Sequence, residues 1–199
     1  RTAVVGLGRA GWSIHIKELR KRQDFKIVDV VDHDPKRLEE ASRALGCAGH
    51  PNLKSLLKSS QAHLVVIATP SFAHEKDSVN VLKSGRHCLV EKPMAMSFAG
   101  ARRMIATARK SKRKLFVHQN GRFEKEFFFL REIMDSGLLG RIFEIRGCWK
   151  SGFARRNDWQ TLRKNGGGIL NSKGPHPIDM ILNLLNAPVV SLMSDLQHI

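Results

Sequence analysis

"VVGLGRAG" at residues 4–11 and "VVDHD" at residues 30–34 together decide the fold. The first places Gly6, Gly8 and Gly11 in a G-x-G-x-x-G pattern where a β-branched run ends and a helix-like segment starts. In that context a dinucleotide pyrophosphate can sit on exposed helix N–H groups. The second ends in Asp32, about 20 residues after the glycines, where a carboxylate accepts both ribose hydroxyls and repels a 2′-phosphate. A plainer reading needs only a tight strand-to-helix turn with Asp32 as a turn residue. Strand context, spacing and acid together favour the dinucleotide, and NAD is expected over NADP. His33 and Arg37 are the neighbours that could soften the repulsion.

Short apolar runs recur along the first 120 residues: 2–7, 26–31, 63–68, 87–90 and 114–118. Each has the β-branched character of a buried parallel strand. Helix-like segments lie between them at 10–22, 35–45, 52–58, 72–84 and 98–112. Alternation of this kind predicts a doubly wound parallel sheet of the Rossmann type over residues 1–120. The rhythm then changes to a helix at 124–136, a long strand at 141–150, an irregular polar stretch and the element "GGGILNSKGPHPID" at 166–179. A second domain is therefore expected over 121–199, and it reads as the start of a larger one.

Composition narrows the function classes. The 199 residues carry 34 Lys and Arg against 18 Asp and Glu, a net charge of +16 that could steer an anionic ligand. Basic residues crowd into "ARKSKRK" (108–114), a helix end where the dipole favours cations. No aromatic side chains interleave with them as a stacking platform for bases requires, so nucleic acid is not the expected partner. Cys47, Cys88 and Cys148 form neither a metal pair nor a disulfide framework, which suits a reducing compartment and a cytoplasmic location. No run reaches the roughly 20 apolar residues of a membrane span. The chain opens without Met, which leaves export open.

Two further strand ends should line the cofactor crevice. The strand 63–68 runs into "ATPSFAH" (68–74), and the strand 87–90 into "EKPM" (91–94). Lys92, braced by Pro93, is held at the carboxyl end of a central strand. In the last motif Pro175 suits the first position of a helix. Ile178, Ile181, Leu182 and Leu185 then form an apolar stripe, leaving His176, Asp179 and Asn183 on another face. A helix N-terminus disfavours imidazolium, which suits His176 to accepting a proton. Gly166, Gly167 and Gly168 would let the backbone approach cofactor or substrate.

With "VVGLGRAG", "ATPSFAH", "GRHCLVEKPMA" (85–95) and "GGGILNSKGPHPID" in this order and spacing, the chain resembles the Gfo/Idh/MocA oxidoreductases. The resemblance implies a Rossmann domain followed by an α+β domain with an open, mostly antiparallel sheet, which often mediates oligomer contacts. It implies hydride transfer between NAD(P) and a secondary alcohol or ketone of a sugar, inositol or related polyol. Lys92 and His176 would be catalytic. The cofactor would lie against Gly6, Gly8, Arg9, Ala10, Gly11, Asp32, His33, Ala68, Thr69, Pro70, His74, Glu91 and Lys92.

Asp158, Ser172 and His176 are candidate substrate contacts, and the basic surface hints at an acidic sugar. No metal is called for. One departure stands out: members commonly carry an aspartate four residues before the histidine, and this chain has Ser172. A hydroxyl holds no charge near neutral pH, so it cannot replace that carboxylate. Asp158 or Asp179 could compensate. Otherwise His176 and Lys92 suffice; the rival reading is a dinucleotide-binding sensor or scaffold with impaired catalysis.

Overall fold

The computed structural model describes residues 1–148 and 158–196, which fall into two compact units. The first comprises Arg1–His118 together with 158–172, and the second 119–148 with 173–196.

In the first unit six parallel strands, β1 (Thr2–Val5), β2 (Ile27–Val31), β3 (Ala48–His50), β4 (Leu64–Ile67), β5 (His87–Glu91) and β6 (Leu115–His118), lie in the order β3-β2-β1-β4-β5-β6. This is the Rossmann order, with its switch point between β1 and β4. The expected strands form within a residue or two of their predicted bounds. β3 is additional: "AGH" carries no β-branched residue and gives no strand signal of its own.

Because successive side chains of a strand point to opposite faces, the buried runs feed two cores. Ala3, Val5, Val31, Val65, Ile67, Cys88 and Val90 pack on one face with Leu56 of α3 (Leu53–Ser59), Val81 and Leu82 of α4 (His74–Lys83) and Met104 of α5 (Phe98–Lys110). Val4, Val30 and Val66 pack on the other face with Ala41 of α2 (Pro35–Leu45) and Ile16 of α1. α1 opens with a π-wound stretch, Gly11–Ile16, and closes with Lys17–Leu19.

Local chemistry sets the helix ends. Asp34 caps α2 by accepting from the Lys36 and Arg37 amides, Pro35 occupies its first turn, and Gly46 closes it in the left-handed region at φ 60°. Asn52 and Ser97 cap α3 and α5 in the same way. Cys88 is wholly buried, and that burial pushes its thiol up to about 12, far from reactive.

The second unit contains α6 (Lys125–Asp135) and α8 (Pro175–Leu185). The α8 apolar residues Ile178, Leu182 and Leu185 stay about half exposed. Arg122 grips Asp179 through both carboxylate oxygens, and Arg131 donates to the Asn183 carbonyl at 2.8 Å. Among the described residues this unit holds no strand. The strand expected at 141–150 is not formed over 141–148, and its last two residues lie outside the described set. Its alternating pattern, "RIFEIRGC", finds no partner strand there to complete a hydrogen-bond ladder.

Met104 is fully buried, so Met104→Ala should destabilise the first unit by about 2–5 kcal/mol, read as a lower urea midpoint with an unchanged slope.

Candidate functional site

The cradle is built by close approach. Gly6 holds φ +89°, and a Cβ on it would lie 2.7 Å from the Ala68 carbonyl oxygen. A Cβ on Gly11 would collide with the Gly6 carbonyl, so only glycine lets α1 start this close to β1. Gly8 instead faces open space, with nothing within 4 Å of where a Cβ would stand. A backbone bare on that side is what a pyrophosphate needs to come near. Beside it lies a cavity of about 280 Å³ lined by Leu7, Gly8, Arg9, Trp12, Ser13, Arg37 and Glu40. Trp12 on its wall is not among the ligand contacts the motifs suggest, while Arg37 is the neighbour named above as able to soften repulsion of a 2′-phosphate.

Asp32 ends β2 with its side chain only 4% exposed. One carboxylate oxygen accepts from the Leu7 amide at 2.7 Å and the other from the Asp34 amide at 2.9 Å. Its orientation is therefore fixed, and each oxygen keeps acceptor capacity for a ribose hydroxyl. His33 Nδ1 stands 3.4 Å from Asp32 on an almost fully exposed ring. The bare Gly8, the fixed acid and the adjoining cavity fit an adenine dinucleotide.

His74 is a correction. It is 1% exposed, with Nδ1 2.8 Å from the Pro93 carbonyl oxygen and Nε2 2.8 Å from that of Thr69. The buried ring thus lies between the main chains of the two strand-end loops, and its contacts are with the protein itself. Thr69, for its part, donates its hydroxyl to Asp77 at 3.1 Å, and burial raises the Asp77 carboxyl above its usual range.

Glu91 and Lys92 diverge despite being neighbours. Lys92 Nζ donates to the Ser172 carbonyl oxygen at 2.7 Å, at the end of the short helix α7 (Ile169–Ser172). The main chain at 172 thus meets this lysine whatever the side chain there. Glu91 turns inward and is 8% exposed. Its Oε1 lies 2.8 Å from His15 Nε2 and 3.0 Å from His118 Nδ1, while Oε2 accepts from the Lys92 amide at 3.2 Å. Burial alone would raise this carboxyl, but the hydrogen bonds from His118 and His15 outweigh it and hold the group well below the usual carboxylate range. Both Glu91 oxygens are thus engaged by groups of the protein itself. Only the fold brings His15 and His118 to Glu91.

The glycine run also differs from expectation. A Cβ on Gly167 would collide with the Gln160 main chain, and one on Gly166 with Met96. These glycines admit the protein's own backbone and side chain, leaving Gly168 open. Asp158 caps its own turn by accepting from the Gln160 amide at 2.8 Å. In the second unit, His176 starts α8 after Pro175, whose carbonyl accepts from Gln119 Nε2 at 2.9 Å, and Gly121 packs close to the ring.

Comparison with known proteins matches this picture. Residues 1–119 match the NAD-binding Rossmann-fold model of the oxidoreductase family GFO_IDH_MocA, and residues 127–199 match the GFO/IDH/MocA C-terminal domain. The chain belongs to the Gfo/Idh/MocA oxidoreductase family and carries its NAD-binding domain.

A 1-carboxy-3-chloro-3,4-dihydroxycyclohexa-1,5-diene dehydrogenase of Comamonas testosteroni is 30% identical over 98% of this chain and 49% of its own length. A D-glucoside 3-dehydrogenase of Escherichia coli is 28% identical over 96% and 55%. The WlbA dehydrogenase of Bordetella pertussis, solved with NADH and UDP-GlcNAcA, superposes with a TM-score of 0.80 at 27% identity, over 93% of this chain and 55% of that one. The chain spans about half the length of the relatives it matches. Among the described residues no helix is long and apolar enough to cross a membrane.

Two outcomes follow from this geometry. NADH should bind at least about tenfold more tightly than NADPH, since a 2′-phosphate would face a fixed carboxylate; equal dissociation constants by fluorescence titration would contradict it. Glu91, depressed in the folded state from an ordinary value of 4.5, contributes stability that is fully present above that pH and is lost as pH falls. The stability gap between wild type and Glu91→Gln should therefore narrow steadily below about pH 4.5 in a urea-denaturation series.

Proposed function

We propose that this protein is an NAD-dependent dehydrogenase acting on a secondary alcohol or the matching ketone of a sugar-like substrate. The observation that carries the reading is Lys92: its ammonium is held 2.7 Å from the Ser172 carbonyl at the end of the strand next to the cradle-bearing pair β1 and β4. A cation fixed in that way can hydrogen-bond the reacting oxygen and stabilise the negative charge it gains. His176 exchanges the proton with that oxygen as general acid and base. NAD, when bound, supplies hydride transfer at its nicotinamide. Asp32 anchors the ribose and the Gly6–Gly11 turn admits the pyrophosphate.

Relatives support the substrate class: one acts on a D-glucoside, and another was solved with an acidic nucleotide sugar, UDP-GlcNAcA. The net charge of +16 suits an anionic group on the substrate. Ser172 takes part through its main-chain oxygen, so the missing carboxylate need not abolish catalysis. Self-association through an antiparallel C-terminal sheet belongs to the same reading.

The test is steady-state NADH formation with a panel of sugars, polyols and sugar acids. Lys92→Ala should lower kcat by about 10²–10³ and His176→Ala by about 10²–10⁴, while Ser172→Ala should cost less than about tenfold. Cofactor that binds but never changes redox state, whatever the substrate, would instead establish a sensor.

A further inference from the structure

Three side chains of metal-ligating type meet in the first unit. They come from separate elements: His15 from the π-wound stretch of α1, Glu91 from the end of β5 and His118 from the end of β6. Their ligand atoms all lie within 4.8 Å of one another, and no other such group exists among the described residues. His15 and Glu91 are buried, while the His118 side chain keeps 26% of its surface. The two imidazoles stand 4.5 Å apart at 56°, too steeply inclined to stack face to face. Hydride transfer as proposed above uses none of the three.

We propose that His15 Nε2, Glu91 Oε1 and His118 Nδ1 form a binding site for a divalent transition-metal ion of the zinc type. Two imidazoles and one carboxylate are a known zinc donor set, leaving a fourth position for water. Magnesium and calcium are disfavoured, because they prefer six or more oxygen ligands. Zinc at its usual bond lengths holds tetrahedral ligands about 3.3 Å apart. The nitrogens now sit 2.8 Å and 3.0 Å from Glu91 Oε1, so seating an ion asks these two pairs to open by a few tenths of an ångström, and the two nitrogens, now within 4.8 Å of each other, to come to the same spacing. The ion would replace two N–H···O bonds, and each neutral ring would change tautomer, its one proton passing by way of solvent to the nitrogen that does not face the ion.

The surroundings suit this role. The Lys92 amide holds Oε2, fixing the carboxylate with Oε1 toward the histidines, as outer partners of metal ligands commonly do. The exposed edge of His118 gives an entry path. π-wound turns often accompany functional sites, and this one carries His15. An ion here would cross-link α1, β5 and β6 beside the Lys92 main chain.

The experiment needs neither substrate nor turnover, so its failure is separate from failure of the dehydrogenase reading. The chelator-treated full chain is titrated with Zn²⁺ against a chromophoric chelator, and with Co²⁺ while its visible absorption is followed. One ion per chain is expected. Glu91→Gln and His118→Asn should each weaken uptake by at least about tenfold, and His63→Asn should leave it unchanged.

Circular dichroism verifies that each variant is folded. Should a variant unfold, X-ray absorption of the zinc-loaded wild type decides alone: two imidazole nitrogens and a carboxylate oxygen are expected in the first shell. No uptake by the folded wild type, uptake that survives both ligand variants, or a first shell without imidazole would overturn the proposal.

Discussion

The approach of Gly11 to the Gly6 carbonyl is the constraint on which the rest of this molecule depends. It lets α1 follow β1, one of the two central strands, after a turn of only a few residues. Helix N-termini carry unsatisfied N–H groups and partial positive charge, so this junction sets where an anion can be bound. The same entry point fixes the phase of α1, and therefore delivers Ile16 to the core and His15 to Glu91. A side chain at residue 11 would push the helix away and uncouple all three.

Much of the first unit was legible in the sequence because its strands are buried on both faces and read as continuous apolar runs. Asp34, Pro35 and Gly46 likewise mark the ends of α2 through local chemistry. What escaped is non-local. β3 exists because β2 offers it an edge to pair with, and "AGH" carries no signal of that. His15 and His118 are 103 positions apart in the chain (118 − 15), and only the sheet order makes them neighbours.

His74 and the glycine run show a different failure. A motif records which residues matter without recording to what they are turned. The residues of "ATPSFAH" and "GGG" were read toward a ligand, and the fold turns several of them toward their own chain. Lys92 and Glu91 make the same point within one dipeptide. Adjacent residues at a strand end point to opposite sides, so one reaches the α7 main chain while the other joins a buried imidazole pair.

Asp32 is at once a ligand-reading residue and a structural one. Its two oxygens hold the amides of Leu7 and Asp34, and Asp34 in turn caps α2. Replacing this acid by a residue without acceptors would strand two N–H groups, at about 1–3 kcal/mol each where they are buried, and loosen the start of the next helix. Drift in cofactor preference at this position is therefore coupled to loss of stability. A lineage could cross that gap by a substitution that keeps both acceptors while shedding charge, or after gaining stability elsewhere, which makes the choice of nucleotide an evolutionarily slow character in this scaffold.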